Sequence, residues 1–373
     1  MKKKNILIID DSALMRRMLS DIINSDERFI VVDTASNGLE AFDKITLRPD
    51  SYDIILLDIN MPKMNGIEFM EQINRLKLKL TVVVVSTIAA EGAAETIRLL
   101  ELGAFDFVTK PTSILQAKGN TFRDRLLECV SCAAGFFTAQ ETRIPLRQSV
   151  KTETLLKSSK PEELTESTLV LRKPHKPVGT GAKKLVALAC STGGPKALQQ
   201  VIPFLPKNLD APMLIVQHMP AGFTASLAAR LNDLSEVTVK EAADGDRLEK
   251  GTVYIAKGGT QMKLAKSGGS YRIQLTDEPP RKGLRPCADI MYESLLTSDF
   301  DDITCVVLTG MGGDGTAGIR QLCDKHNIYV IGQDAASCTV YGMPKVLFEA
   351  GLTDVVVPLK DVANAIIKNV GAR

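Results

Sequence analysis

Residues 54–62 have the sequence IILLDINMP, and this stretch decides the fold of the first third of the chain. Its four leading apolar residues are typical of a strand that is buried on both faces of a parallel sheet. The run ends at Asp58, and a turn is expected before the helix that follows. Because open parallel sheets bind their ligands beyond the carboxyl ends of the strands, Asp58 is expected to face a binding site.

Apolar runs of the same kind recur along the first 110 residues. They predict strands at residues 5–9, 29–34, 53–57, 81–85 and 105–108, amphipathic helices near 13–24, 38–47, 65–77 and 92–102, and a last helix over about 112–136. Strands that alternate with helices predict a doubly wound α/β domain, and we place this domain at residues 3–120.

A second α/β series begins after Lys184 and predicts a catalytic domain at residues 183–373. Its strands are expected at 185–189, 212–217, 237–240, 252–256, 271–274, 303–308, 328–331 and 354–357. Helices are expected near 195–202, 222–232, 287–297, 315–325 and 343–350. The sheet is expected to be mostly parallel, with an antiparallel portion around residues 237–274.

The composition changes between the two series. Residues 143–184 contain no aromatic residue, and they hold ten Lys or Arg against four Asp or Glu. Such a stretch buries too little apolar surface to offset the entropy lost on ordering. Residues 121–182 are therefore predicted to form the end of a helix and then a flexible linker. This basic linker is either an inert tether or a segment that docks onto an acidic surface.

Overall composition excludes several classes of protein. The formal net charge of +2 in 373 residues does not indicate a nucleic-acid binder. No apolar run reaches the roughly 18 residues that a membrane helix needs, and the apolar run after Lys4 is too short for a signal peptide. Seven cysteines in a chain of this length do not form a disulfide framework, so a cytoplasmic location is expected. Cys129 and Cys132 lack the second pair of ligands that a zinc site needs.

Five chemically active side chains follow the predicted strands of the first domain. Three carboxylates, a hydroxyl and an ammonium group are therefore expected at one edge of the sheet, from Asp10, Asp11, Asp58, Ser86 and Lys110. Each residue alone could cap a helix or open a turn. Together they suit Mg²⁺ and a phosphoryl group, because the cation offsets the phosphoryl charge while an aspartate attacks.

These motifs resemble the receiver domain of two-component response regulators over about residues 3–120. The resemblance is carried by segments 10–12, 56–62 and 107–111, together with Gly66 and Ser86. It implies a flavodoxin-like fold in which Asp58 accepts phosphate from a histidine kinase. It also implies a cis peptide bond before Pro111.

The same resemblance implies roles for the neighbouring residues. Mg²⁺ would be held by Asp11, Asp58 and the Asn60 carbonyl, with assistance from Asp10. Ser86 and Phe107 occupy the switch positions of the family, and Lys110 occupies its phosphate-contacting position.

Three further residues follow strands of the second domain. Ser191 lies between a strand and a Gly-Gly-Pro helix start, His218 follows residues 212–217, and Asp314 lies in the glycine-rich turn after residues 303–308. A lone histidine is more often structural, and Asp314 alone reads as a helix cap. Because all three lie at carboxyl ends of parallel strands, they predict a nucleophile, a base and an orienting carboxylate on one rim. The segment lacks both the dinucleotide G-x-G-x-x-G spacing and the G-x-S-x-G elbow.

Segments 191–195, 217–220 and 309–315 closely resemble the chemotaxis methylesterase domain of the CheB family, with support from segments 285–289 and 341–345. The resemblance covers about residues 183–370 and implies a Rossmann-like α/β domain. It implies a protein-glutamate methylesterase, in which Ser191 attacks the γ-methyl ester of a chemoreceptor glutamate and methanol leaves. Deamidation of receptor glutamines would follow the same chemistry. A CheA-type histidine kinase would be the phosphodonor and methyl-accepting chemoreceptors the substrate.

The resemblance also implies the catalytic roles of individual residues, and two rival functions are considered beside it. His218 would shuttle protons, Asp314 would orient it, and backbone N–H groups of Thr192 and Met311 are candidates for stabilising the oxyanion, without a cofactor. Cys190 is interpreted as strand packing and not as an alternative nucleophile. One rival function is a non-catalytic scaffold, which does not need all three catalytic residues. The other is a DNA-binding output domain, for which no helix-turn-helix pattern or basic recognition helix is evident after the linker. We expect the unphosphorylated receiver to cover the rim that carries Ser191.

Overall fold

The computed structural model describes residues 2–87, 90–111, 120–136, 176–179 and 181–372. Most of the predicted linker lies outside these residues. The first domain is a five-stranded parallel sheet in the order β2-β1-β3-β4-β5. Its elements are β1 (Lys4–Ile9), α1 (Ala13–Asn24), β2 (Phe29–Ala35), α2 (Gly38–Leu47), β3 (Ile54–Asp58), α3 (Gly66–Arg75), β4 (Thr81–Ser86), α4 (Ala90–Glu101), β5 (Asp106–Thr109) and α5 (Asn120–Ala133).

The central strands of this domain are buried on both faces, as their continuous apolar sequences predict. One face of the sheet packs with α1 and α5 around Ile6, Ile8 and Leu56, while the other buries Leu7 and Leu57. A fully buried Leu or Ile side chain contributes about 1.5–3 kcal/mol to folding, so the doubly covered strands dominate the stability of this unit. The predicted doubly wound fold is confirmed.

Local capping places the helices at the carboxyl edge of the sheet. Ser12 accepts the N–H of Met15 at 3.3 Å and caps α1 immediately after the acidic pair that follows β1. Asn65 and Glu68 form a capping box at the start of α3. These caps satisfy the free N–H groups of the first helical turns, and they hold the loops that carry the site residues.

The second domain is built on a seven-stranded parallel sheet in the order β14-β13-β12-β6-β7-β9-β8. Its strands are β6 (Lys184–Cys190), β7 (Met213–Gln217), β8 (Thr238–Glu241), β9 (Thr252–Ile255), β12 (Asp302–Val307), β13 (Ile328–Gln333) and β14 (Val355–Val357). A separate antiparallel hairpin comprises β10 (Gln261–Ser267) and β11 (Ser270–Thr276). The helices are α6 (Gly194–Gln199), α7 (Phe223–Leu234), α8 (Ala288–Ser294), α9 (Thr316–Lys325), α10 (Met343–Glu349) and α11 (Val362–Val370).

The antiparallel portion expected around residues 237–274 is only partly correct. β8 and β9 pair in parallel within the main sheet, and the antiparallel pairing is confined to the hairpin. Strand β10 and helix α11 were not predicted. Strand β10 is stabilised by pairing with β11, and the mixed polar and apolar sequence of β10 does not predict a strand by itself. Helix α11 buries Val362, Ala363, Ile366 and Val370, a helical spacing that is visible in the sequence.

The two domains are in direct contact. Phe107 of β5 stacks on Phe223 of α7, with ring centroids 4.6 Å apart and planes at 27°. Arg230 of α7 donates from Nε to Glu101 Oε1 at 2.5 Å. Helix α5 belongs to the first domain by its packing, and its Cys132 Sγ lies 3.2 Å from Met311 Sδ of the second domain. No helix among the described residues is long and apolar enough to span a membrane.

Candidate functional site

The structure brings the predicted acidic residues together at the carboxyl edge of the first sheet. One carboxylate oxygen each from Asp10, Asp11 and Asp58 lies within 4.8 Å of the others. Lys110 Nζ lies 2.8 Å from Asp10 Oδ2 and 2.8 Å from Asp58 Oδ1. Asp10 and Asp58 are both buried, so this lysine provides the positive charge that two dehydrated carboxylates require.

Burial and charge act against each other on this cluster. Burial raises the pKa of Asp58, although the charge of Lys110 lowers it. The pKa of Lys110 is raised, because Asp58 and Asp10 outweigh the burial that disfavours its charged form. Lys110 is therefore charged at neutral pH, and it is positioned to contact an anion on Asp58.

The donor set fits Mg²⁺, which prefers oxygen ligands. Asp10 Oδ2 is buried and accepts no well-aligned hydrogen bond, although Lys110 Nζ is close to it. The side chain of Asn60 donates to Glu95 Oε2 at 3.3 Å, and the predicted role of its carbonyl stays a prediction. In the described residues the one cis peptide bond precedes Pro286, so the cis bond expected before Pro111 is wrong.

Both switch residues have contacts with residues other than Asp58. Ser86 Oγ accepts a hydrogen bond from Thr96 Oγ1 at 2.8 Å and donates to the Thr87 carbonyl at 3.2 Å. Phe107 is only 8% exposed, because Phe223 of the second domain covers its ring. Ser86 is therefore hydrogen-bonded within the first domain, and Phe107 is packed in the interface between the domains.

In the second domain the predicted histidine and aspartate are in direct contact. His218 Nε2 lies 2.8 Å from Asp314 Oδ2, and both side chains are buried. Asp314 also accepts the N–H groups of Ala288 at 2.6 Å and Asp289 at 3.1 Å, while Cys287 Sγ lies 3.1 Å from its Oδ1. Although burial opposes ionisation, the hydrogen bond from His218 and these donors hold the pKa of Asp314 well below its usual range. Asp314 is therefore an anion that can orient His218.

The nucleophile candidate lies at the end of β6. Ser191 donates its N–H to the Thr309 carbonyl at 3.0 Å, and its own carbonyl accepts the N–H of Gly194 at 2.7 Å. Gly193 has φ +76°, and a Cβ at this position would overlap the Thr339 side chain. The glycines therefore permit a tight turn directly after the serine.

Two backbone donors are free among the described residues of the cavity that contains Ser191. Within the described residues, the N–H groups of Thr192 and Met311 have no hydrogen-bond acceptor, while the N–H of Ser191 is already used. No hydrogen bond joins Ser191 Oγ to His218 among the described atoms, but both residues line one cavity. Free N–H groups at this position could stabilise an oxyanion.

This cavity has a volume of about 620 Å³ and is lined by residues of both domains. The second domain contributes Ser191, Thr192, His218, Met311, Asp314, Lys282 and Arg320 among its lining residues, and the first domain contributes Asp106, Phe107, Arg125, Glu128, Cys129 and Cys132. Burial raises the pKa of Asp106, which lies beside the Thr192 hydroxyl. The first domain thus covers the rim that carries Ser191.

Cys190 does not face this cavity. Its side chain is fully buried, with Sγ 3.0 Å from Gln217 Oε1, and burial raises the pKa of the thiol. A buried thiol that stays protonated is a poor nucleophile, which supports its interpretation as strand packing.

Sequence reasoning assigned no role to several residues around the site. Cys287 and Asp289, which contact or neighbour Asp314, lie in a segment that the sequence analysis quoted without a function. Phe223, Arg230 and Glu101 join the domains, and no local signal marks them, because their partners lie far away in the sequence.

Two known families match the chain. Residues 6–118 match the response regulator receiver domain, and residues 186–366 match the CheB methylesterase family. A Geobacillus kaustophilus protein named protein-glutamate methylesterase/protein-glutamine glutaminase is 39% identical over 372 residues, which cover 100% of both chains. A Bacillus subtilis protein of the same name is 41% identical over 364 residues, 97% of each chain. The crystal structure of the Thermotoga maritima CheB methylesterase catalytic domain shares 40% identity, covers 50% of this chain and 98% of that one, and has a TM-score of 0.48.

Proposed function

The chain belongs to the CheB family of protein-glutamate methylesterases/protein-glutamine glutaminases, and we propose that Ser191, His218 and Asp314 carry out its hydrolysis. The enzyme removes methyl esters from chemoreceptor glutamates and deamidates receptor glutamines under the control of its receiver domain. One observation carries the assignment of residues. His218 is held at 2.8 Å by an ionised Asp314 in the cavity that also contains Ser191.

The geometry assigns one ring nitrogen to each partner. His218 donates from Nε2 to Asp314, which leaves Nδ1 to take the proton of the Ser191 hydroxyl. Ser191 Oγ then bonds to the ester carbonyl carbon, and the carbonyl electrons form an oxyanion. The free N–H groups of Thr192 and Met311 are the proposed donors to it, each worth about 3 kcal/mol of barrier.

The second half of the reaction returns the proton. Protonated His218 donates to the departing methoxide, methanol leaves, and a glutamyl ester of Ser191 remains. A water molecule then gives a proton to His218 and attacks the acyl carbon. His218 returns this proton to Ser191 Oγ as the Oγ–acyl bond breaks, so the glutamate leaves and the serine hydroxyl is regenerated. On a glutamine substrate the same steps expel ammonia, which makes a poorer leaving group and depends more strongly on protonation by His218.

Regulation rests on the covered cavity. Phosphate on Asp58 would provide an anion that attracts Lys110 and draws Ser86 away from Thr96. As Phe107 follows, its stack on Phe223 is lost and the covered state loses population. We therefore assign activation to release of the cavity from the receiver.

The cofactor and partners follow from the same assignment. Asp10, Asp11 and Asp58 would hold Mg²⁺, with the Asn60 carbonyl as a further ligand, and the cation would offset the charge of an incoming phosphoryl group. A CheA-type histidine kinase is the proposed phosphodonor. Methyl-accepting chemoreceptors are the proposed substrate. None of the seven described cysteines forms a disulfide and five of them are buried, which suits a reducing cytoplasm.

Methanol release from methylated chemoreceptor fragments tests this proposal. The assay is run with and without Mg²⁺ and a small phosphodonor such as acetyl phosphate, alongside the variants Ser191→Ala and Asp58→Ala. We expect release that requires Ser191 and that rises with phosphodonor only when Asp58 is present. Absence of release from the wild-type chain would favour the scaffold function, and release from Ser191→Ala would exclude the proposed nucleophile.

A further inference from the structure

The segment around Asp289 is the strongest feature that the proposed mechanism does not use. Asp289 lies in the first turn of α8, is 2% exposed, and does not line the cavity. Its Oδ1 accepts two backbone N–H groups from the start of α9, those of Gly315 at 3.0 Å and Gly318 at 2.9 Å. A carboxylate on one helix therefore caps the helix that follows Asp314.

Asp314 makes the reverse contact. Its carboxylate accepts the N–H groups of Ala288 and Asp289, which belong to the first turn of α8. Asp289, which lies in α8, thus caps α9. Asp314, which lies just before α9, in turn caps α8. The reciprocal pair links the backbone position of Asp314 to the position of Asp289, in addition to holding the carboxylate itself.

The two helices pack too closely for this arrangement to relax freely. A Cβ on Gly318 would lie 2.6 Å from the Cβ of Tyr292, and a Cβ on Gly315 would lie 3.0 Å from the ring of Tyr292. Tyr292 is fully buried, and its hydroxyl donates to the carbonyls of Ala187 at 3.1 Å and Val306 at 3.2 Å. Without the Asp289 carboxylate, two buried N–H groups would lose their acceptor, and the start of α9 would have to move to find another.

The start of α8 is held from its other side as well. Gln261 is fully buried, accepts the N–H of Cys287 at 2.9 Å, and donates to the Leu284 carbonyl at 3.1 Å. This anchors α8 to strand β10. If the Asp289 caps are lost, α8 therefore stays in place and the loop that contains Met311 and Asp314 moves.

Building on the proposed function, we propose that Asp289 is a positioning residue for hydrolysis. Its caps on Gly315 and Gly318 hold the loop in which Asp314 meets His218 and which also carries Met311, a residue that lines the cavity with Ser191. Asp289 acts through Asp314 and the loop, and it contacts no reacting atom.

The hydrogen bonds of Asp289 offer a sharp substitution series. Both N–H groups bond to Oδ1, whereas the other carboxylate oxygen, Oδ2, lies 3.6 Å from Lys282 Nζ. Asp289→Asn can keep both caps through its amide oxygen, because only the charge and one acceptor are removed. Asp289→Ala removes both caps. We expect kcat to fall about 10- to 100-fold in Asp289→Ala with little change in KM, and to stay within about threefold of wild type in Asp289→Asn.

A second readout does not need the receptor substrate. Labelling of Ser191 by a fluorophosphonate probe also depends on the base and on the oxyanion donors. Its rate should fall in Asp289→Ala and recover in Asp289→Asn. Both measurements use the full chain with Mg²⁺ and acetyl phosphate, so that the covered state does not limit the rate.

Asn232→Ala is the matched control for a purely structural role. Asn232 Oδ1 accepts the N–H of the buried residue Val239 at 2.9 Å, and neither residue lines the cavity. We expect it to lower the urea midpoint of unfolding without lowering kcat. Asp289→Ala behaving in the same way, with wild-type kcat and labelling rate, would overturn the proposal.

Two further outcomes distinguish failure of the role proposed for Asp289 from failure of the proposed hydrolase function. Equal loss of kcat in Asp289→Asn and Asp289→Ala would assign the effect to charge and would overturn the capping role. If Asp289→Ala does not fold, Asp289→Ser replaces it, because a hydroxyl on a shorter side chain cannot keep both caps. Wild-type chain that neither releases methanol nor labels at Ser191 would instead contradict the proposed function.

Discussion

His218 Nε2 lies 2.8 Å from Asp314 Oδ2, so the nitrogen that remains for Ser191 is Nδ1. A flip of the imidazole ring exchanges Nδ1 with a carbon and does not bring it to the aspartate. The template triad of serine proteases uses the opposite arrangement, with Nδ1 on the aspartate and Nε2 on the serine. In this fold the histidine therefore approaches the aspartate through its other ring nitrogen, and the same proton transfers are possible.

Asp314→Asn should lower kcat by about 10³- to 10⁴-fold, because an amide cannot stabilise the imidazolium that forms during attack. Methanol release under activating conditions measures this change. Cys190→Ala is the control, since the buried Cys190 thiol does not face the cavity, and its kcat should stay close to that of the wild type. Equal rates for Asp314→Asn and wild type would exclude Asp314 from the mechanism.

Arg230→Ala should raise the activity of the unphosphorylated enzyme by at most about fivefold. Its ion pair with Glu101 crosses the domain interface, and Arg230 is 39% exposed, so the pair contributes only about 0.2–1 kcal/mol to the covered state. Basal methanol release measures the effect. Arg48→Ala is the control, because Arg48 pairs with Asp33 and both residues belong to the first domain. A basal rate that does not change with Arg230 would mean that this pair contributes nothing to closure.

Phosphorylation should expose Cys132 to alkylation. In the covered state burial raises the pKa of its thiol to about 12, and Met311 lies against the sulfur. Opening of the domains would rehydrate the thiol and return its pKa towards the usual range, so the reactive thiolate becomes more abundant at pH 8. Iodoacetamide labelling followed by mass spectrometry measures the rate with and without acetyl phosphate.

The cysteine experiment has two controls. Cys190 in the core of the second domain should stay unlabelled in both states, and Asp58→Ala should show no increase at Cys132. If Cys132 labels equally fast before and after phosphorylation, the domains do not separate at α5.

Removal of Mg²⁺ with EDTA should abolish activation by acetyl phosphate and leave the basal rate unchanged. The carboxylates of Asp10, Asp11 and Asp58 offer ligands for the cation, whereas the residues around Ser191 offer a proton relay. Basal and activated methanol release are compared before and after EDTA, and excess Mg²⁺ should restore the difference. Loss of the basal rate on chelation would require a metal in the hydrolase site.

Gly193→Ala should destabilise the second domain by more than Gly268→Ala does. Both glycines have left-handed φ, +76° and +55°, and this costs an alanine about 1–2 kcal/mol. Of the two positions, only Gly193 has a neighbour, Thr339, that the added Cβ would overlap. Such overpacking costs a further ~1–3 kcal/mol. Urea unfolding of the two variants measures the difference. Equal midpoints would mean that the turn after Ser191 can relax.

The sequence by itself determined where the strands that carry the candidate site end and which residues follow them. Asp58, Lys110, Ser191, His218 and Asp314 were all placed from local patterns. Apolar runs and helical periods depend on neighbouring residues, and parallel strands bring their carboxyl ends to one edge. The doubly wound fold, the acidic cluster and the histidine–aspartate pair follow from those two facts.

Only the tertiary structure decided how these parts face one another. The contacts of Phe107 with Phe223 and of Cys132 with Met311 join residues more than 100 positions apart, and no local period encodes them. The capping of α9 by Asp289 likewise depends on the close packing of two helices. Such contacts arise from the shapes of surfaces built by distant segments, so they exist only once both sheets and their helices have assembled.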